Sequence, residues 1–194
     1  MKNLVSILIA LGLSLTIATA AQKQDSSSPD LKQPSTRDAQ RTSALIADEV
    51  RHQLVMMPYY GVFDWLEADI QPNGAVTLRG QITRPTTKSD AEARVRKLES
   101  VSRVNNEIEV LPPSPTDDAI RIAMYRALFN YNSSLFRYAT LAVPPIHIIV
   151  KNGRVALKGF VANEMDKQLA YTAARNVSGV FEVTNELKVD GENY

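Results

Sequence analysis

The chain has 194 residues, is 44% apolar and 22% charged, and carries a formal net charge of +1. That is enough apolar material for one large domain or two small ones, with no polybasic balance pointing to nucleic acid. Cysteine is absent, which excludes a disulfide framework, a thiolate metal site, a cysteine nucleophile and a lipid-modified cysteine.

In chain order, residues 1–21 read as a signal peptide: Met1-Lys2-Asn3, then the uncharged run LVSILIALGLSLTIATAA with Ala18-Thr19-Ala20 as an A-x-A site. An uncleaved membrane anchor is the alternative, since Leu4 to Ala21 is about long enough to span a bilayer. Residues 22–41 are polar, contain Ser and Pro and hold a single Leu. Such a segment cannot bury enough apolar surface to order itself and reads as a flexible tether.

From residue 42 the periodicities define a first domain, 42–111. Ile46, Val50 and Leu54 recur at helical spacing over Thr42 to Val55. Leu66 to Gln71 alternates as a first strand, Asn73-Gly74 is a type I′ hairpin signal, and Val76, Leu78, Gly80 and Ile82 share one face of a second strand. Gly80 is expected to leave room for a helix against the sheet. A helix from Pro85 to Ser100 and a last strand from Arg103 to Val110 complete the unit.

The unit then repeats. NGAVTLRG, Asn73 to Gly80, returns as NGRVALKG, Asn152 to Gly159, and at a constant offset of 79 Ala68–Val110 lies on His147–Val189 without a gap. Upstream, an offset of 74 places Ile46, Val50 and Leu54 on Ile120, Met124 and Leu128, so the second copy carries five extra residues between its helix and its first strand. A Pro-rich linker, 112–115, joins the first copy to a second domain at 116–190. The expected fold class is α+β: two tandem αββαβ domains, each a three-stranded mixed sheet with two helices on one face.

The duplicated NGxVxLxG, the amphipathic helix that follows, and the closing VNNEIEV (Val104 to Val110) and VTNELKV (Val183 to Val189) resemble the BON domain family. The resemblance covers about three quarters of the chain and implies an αββαβ fold, a periplasmic or membrane-associated setting, and envelope integrity supported through phospholipid binding. It brings no catalytic residue to carry over. Ser100 stands where the second copy has Gly179, a departure that leaves the first copy's helix terminus less well capped.

No metal, cofactor or catalytic group is expected. His52 and His147 are the only histidines, they do not align with each other, and no nucleophile elbow is present. Asn106 and Asn185 are expected to be buried amides that satisfy backbone groups at the sheet edge. Aromatic residues concentrate in two segments, Tyr59, Tyr60, Phe63 and Trp65, then Tyr125, Phe129, Tyr131, Phe136 and Tyr138. They either close the end of each small core or form an amphipathic rim.

In the second copy Arg126 and Arg137 stand among the aromatics, which suits phosphate headgroups. The first copy has eight basic and ten acidic residues and the second nine and seven. Tyr125, Arg126, Phe129, Tyr131, Phe136 and Arg137 are therefore the candidate surface for a phospholipid membrane or an envelope protein. The 79 offset also puts His147 and Ile149 inward and Ile148 and Val150 on the opposite sheet face. An apolar pair there should be an interface, covered by the other domain or by a second molecule. The expected function is a non-enzymatic, exported periplasmic protein that associates with phospholipid under osmotic or envelope stress. The alternative is a protein-interaction or chaperone-like module using the same surface.

Overall fold

The computed structural model describes residues 36–141 and 143–190, with side chains from residue 42. The segments expected as signal peptide and, for the most part, as tether lie outside the described residues. The first copy is built from α1 (Thr36–Val55), β1 (Trp65–Ile70), β2 (Ala75–Ile82), α2 (Pro85–Arg96), β3 (Arg103–Asn106) and β4 (Glu109–Val110). The second is built from α3 (Pro115–Leu128), the short α4 (Phe136–Ala139), β5 (Ile146–Lys151), β6 (Arg154–Val161), α5 (Glu164–Arg175) and β7 (Glu182–Val189). Helix α1 begins at Thr36, so 36–41, expected as tether, is helical.

Each copy is a mixed sheet. β1 pairs antiparallel with β2, and β3 and β4 follow one another in parallel along the far side of β2. β5, β6 and β7 repeat that order with an unbroken last strand. Two helices bury one face of each sheet. Ile46, Val50 and Leu54 of α1 meet Val76, Leu78 and Ile82 of β2 and Ala91 and Val95 of α2. Ile120, Met124 and Leu128 of α3 do the same against Val155, Leu157 and Val161, with Ala170 and Ala174 of α5.

The helix starts are legible locally. Ser114 caps α3 by accepting from Asp117 N at 3.2 Å, with Pro115 in the first turn, and Asn163 caps α5 by accepting from Asp166 N at 2.9 Å. The Pro-rich linker thus ends inside a helix cap.

The repeated Asn-Glu pair has a structural task in both copies. Asn106 Nδ2 donates to Lys88 O at 3.0 Å, and its Oδ1 accepts from Ile108 N at 3.2 Å. Asn185 makes the same pair of bonds, to Lys167 O at 3.0 Å and from Leu187 N at 3.3 Å. The amide ties the last strand to the helix lying over it. The following Glu pairs across the sheet, Arg79 with Glu107 at 2.9 Å and Lys158 with Glu186 at 2.8 Å.

The hairpins differ, and the difference corrects the register. In the second copy Asn152 and Gly153 both have positive φ, 53° and 72°, as a two-residue type I′ turn requires. In the first copy Pro72 adds a residue. Gly74 N donates to Gln71 O at 2.9 Å and only Gly74 of the loop has positive φ, giving a turn with Pro72 second and Gly in the left-handed position. Residues that match at an offset of 79 in the second strand therefore match at 80 in the first.

Leu66, Ala68 and Ile70 correspond to Ile146, Ile148 and Val150, which pair with Gly159, Leu157 and Val155. Ile148 and Val150 are fully buried members of the second core, not an outward interface pair. The outer face of β5 carries His147 and Ile149. A one-residue slip turns every side chain of a strand over. The second copy has six extra residues before its first strand, not five.

Gly80 and Gly159 also have a different reason from the expected one. Their φ values are 127° and 111°, and a Cβ would sit 1.9 Å from the carbonyl oxygens of Trp65 and Pro145 respectively. The neighbouring strand's backbone, rather than a helix, requires glycine there.

Candidate functional site

The two copies pack as one compact unit. The contact centres on the loop before β1. Asp64 is buried and accepts from Thr83 N at 2.7 Å, Thr83 Oγ1 at 3.0 Å and Gly61 N at 3.2 Å, which pins the loop to the end of β2. Held in that way, Val62 O accepts from Ile148 N at 2.7 Å and blocks part of the free edge of β5. Val62 and Phe63 pack on the second core, and Phe63 meets Tyr125 edge-on at 6.4 Å, with Tyr125 against Phe129 at 5.1 Å. Lys151 and Glu109 form an ion pair between the copies.

His147 is the centre of this contact. It is 4% exposed, its Nδ1 lies 3.2 Å from Gly61 O, and the rings of Tyr60 and Trp65 are 5.4 and 5.1 Å away. A carbonyl acceptor at that position places the neutral ring's proton on Nδ1. Burial pushes the His147 pKa below its ordinary value, against the partial pull of the Asp64 and Gly61 backbone and the Asp64 charge. Because the unfolded chain takes up the proton first, stability should fall as pH drops below about 6.5, until the folded-state pKa is passed. Urea midpoints at pH 7.5 and 5.5 should show that loss, and His147→Gln should flatten it. An unchanged slope in the variant would assign the loss to other groups.

Beside this contact lies a cleft of about 590 Å³, within the usual range for a ligand site of ~300–1,000 Å³. Ala47 and Leu54 of α1 and the inward side chains Leu66, Ala68 and Ile70 of β1 form one wall. Val143, Pro144 and Phe160 of the second copy form the other. The equivalent space in the second copy is filled. There the segment after α3 contributes Phe129, Leu135 and Tyr138 to the core, and Ile146, Ile148 and Val150 are buried. Leu66, Ala68 and Ile70 are only half-buried. The inserted residues close one copy and their absence leaves the other open.

The aromatic candidates of the second copy separate into three groups. Phe129 is in the core, and Tyr125 bridges to the first copy while remaining 38% exposed. Arg137 is engaged by the buried Asp166 and by Tyr138 Oη, and Tyr138 Oη itself donates to Asp166 at 2.6 Å and accepts from Ala162 N at 2.8 Å. Arg126 is exposed on α3, with Ile122 beside it. Tyr131, 84% exposed, meets the exposed Phe136 edge-on at 5.5 Å.

Asp64 and Val62 were not legible as contact residues. The only signal is an acid set within an aromatic loop. Among the described residues no group of His, Asp and Glu could hold a metal ion, and no helix is long and apolar enough to cross a membrane.

Comparison with solved structures gives two of CdsD, the structural protein of the type III secretion system of Chlamydia trachomatis. They have 14% and 16% identity, cover 74% and 77% of this chain and 96% and 94% of theirs, and share a TM-score of 0.28, too low to guide a structural argument. No curated protein matches the chain. The model of the BON domain matches residues 42–112 and 131–191, the first repeat and the part of the second that follows α3. The chain belongs to the BON domain family and carries two BON domains in tandem.

Proposed function

We propose that this is a non-enzymatic, exported envelope protein whose second domain associates with anionic phospholipid, supporting the envelope under osmotic or related stress. The observation that carries the reading is the surface left once the core and ion pairs are set aside. Ile122, Tyr125 and Arg126 stay exposed on α3, and Tyr131 and Phe136 stay exposed in the segment that follows it. Tyr and Phe rings suit a bilayer boundary, where one side of the ring is dry. A cation near an anionic surface adds about 1 kcal/mol of attraction. Arg137 is a positioning residue in this scheme, because Asp166 and Tyr138 engage its guanidinium.

Flotation with vesicles tests the reading. Binding should rise with the phosphatidylglycerol fraction and weaken as salt shortens the screening length. Tyr131→Ser with Phe136→Ser, or Arg126→Glu, should reduce it several-fold while leaving thermal unfolding unchanged. Capture of an envelope protein with no dependence on lipid would favour the interaction-module alternative. Export as a soluble, non-lipidated periplasmic product predicts a mature chain beginning near residue 22, which N-terminal sequencing reads directly.

A further inference from the structure

We propose that the cleft between the α1–β1 side of the first domain and the second domain binds one acyl chain of an anionic amphiphile, taken up as a monomer. The site is separate from the aromatic surface, and the proposal does not rest on vesicle binding.

The lining gives the chemistry. The walls facing the cleft, among them Leu54, Ala68, Ile70 and Phe160, are apolar over the length of a strand. Such a slot suits an extended hydrocarbon and offers little to a polar ligand. The charges at the cleft are unequal. Arg51 and Lys188 line it, and neither has an ion-pair partner among the described residues. The acid present, Glu67, already accepts from Trp65 Nε1 at 2.6 Å. His147 is held neutral by burial and adds no charge. The cleft therefore presents an apolar floor with two cations against one carboxylate, complementary to a chain ending in a carboxylate or phosphate.

The protein supplies its own reporter. Trp65 is the single tryptophan of the chain and lies in the cleft wall, so quenching by a brominated chain requires contact at this site. Dibromostearate, added to the purified protein below its micelle concentration and without vesicles, should quench Trp65 saturably at one molecule per chain. Stearate should reverse the quenching by competition. Each methylene removed from the competitor should weaken it by up to about fourfold, and the methyl ester should bind more weakly than the acid. Arg51→Glu with Lys188→Glu should weaken binding roughly tenfold.

Ala68→Leu and Ala47→Leu each add bulk inside the cleft and should abolish quenching, with circular dichroism confirming the fold. Competition by stearate needs no variant, so the proposal stands or falls even if a filled variant misfolds. Absent or non-saturating quenching overturns it, as does quenching that survives in both folded variants. An emission change that follows protein concentration alone would make the occupant a second copy of this chain and overturn it equally. Vesicle flotation lost with quenching intact would count against the proposed membrane role and leave this site standing.

Discussion

Ile148→Asp should unfold the second domain. Ile148 is fully buried between Leu157 on β6 and the α3 layer. Deleting such a side chain costs about 2–5 kcal/mol, and placing an unpaired carboxylate in the space adds a desolvation penalty of several more. Whole domains have only about 5–15 kcal/mol in hand. Urea unfolding followed by amide hydrogen exchange should show loss of protection in β5, β6 and α3. Variants at the outer-face position of the first copy provide the contrast. Asp69 already carries an acid there, exposed, so Asp69→Ile should leave the fold intact. If Ile148→Asp retained a cooperative transition within ~1 kcal/mol of the parent, the placement of β5 in the core would be wrong.

The second large effect is expected at the strand glycines. Gly159→Ala asks for one methyl group where Pro145 O lies 1.9 Å from the Cβ position, at a φ of 111°. The left-handed backbone costs about 1–3 kcal/mol for a residue with a side chain. Relieving the overlap requires β5 to move away from β6, an overpacking penalty of about 1–3 kcal/mol more. A loss of roughly 2–6 kcal/mol by thermal or urea unfolding follows, and Gly80→Ala should show it in the first domain, against Trp65 O. Helix packing would predict tolerance of alanine and intolerance of valine. Backbone contact predicts that alanine alone is enough, and a Gly159→Ala protein as stable as the parent would refute it.

The first of these predictions turns on one residue. Pro72 lengthens the first hairpin, and the sequence repeat around it is so regular that a gapless alignment looked sufficient. Periodicity identified each strand of the second copy and the residues of α3 that face the core, because an amphipathic helix shows its buried stripe at fixed spacing. The direction of β5 was not legible in the same way. Its side chains Ile146 to Val150 are apolar or buried on both faces, so there was no alternation to read. The hairpin had to supply the register, and a single added residue reverses it.

What the sequence determined by itself is local and repetitive. It contains the duplicated αββαβ order, the type I′ turn at Asn152-Gly153, and the Asn residues whose amides join strand to helix. Each follows from side chains a few residues apart or from a pattern stated twice. The tertiary structure decided how two similar copies become unequal partners. Asp64 fixes a loop that caps β5, His147 is buried under aromatic rings of the other copy, and the segment after α3 fills one core while the matching side of the first copy stays open. The contacts between the copies, Val62 with Ile148 and Trp65 with His147, join residues about eighty positions apart, with no periodicity between them. Only packing the two domains together brings them within reach.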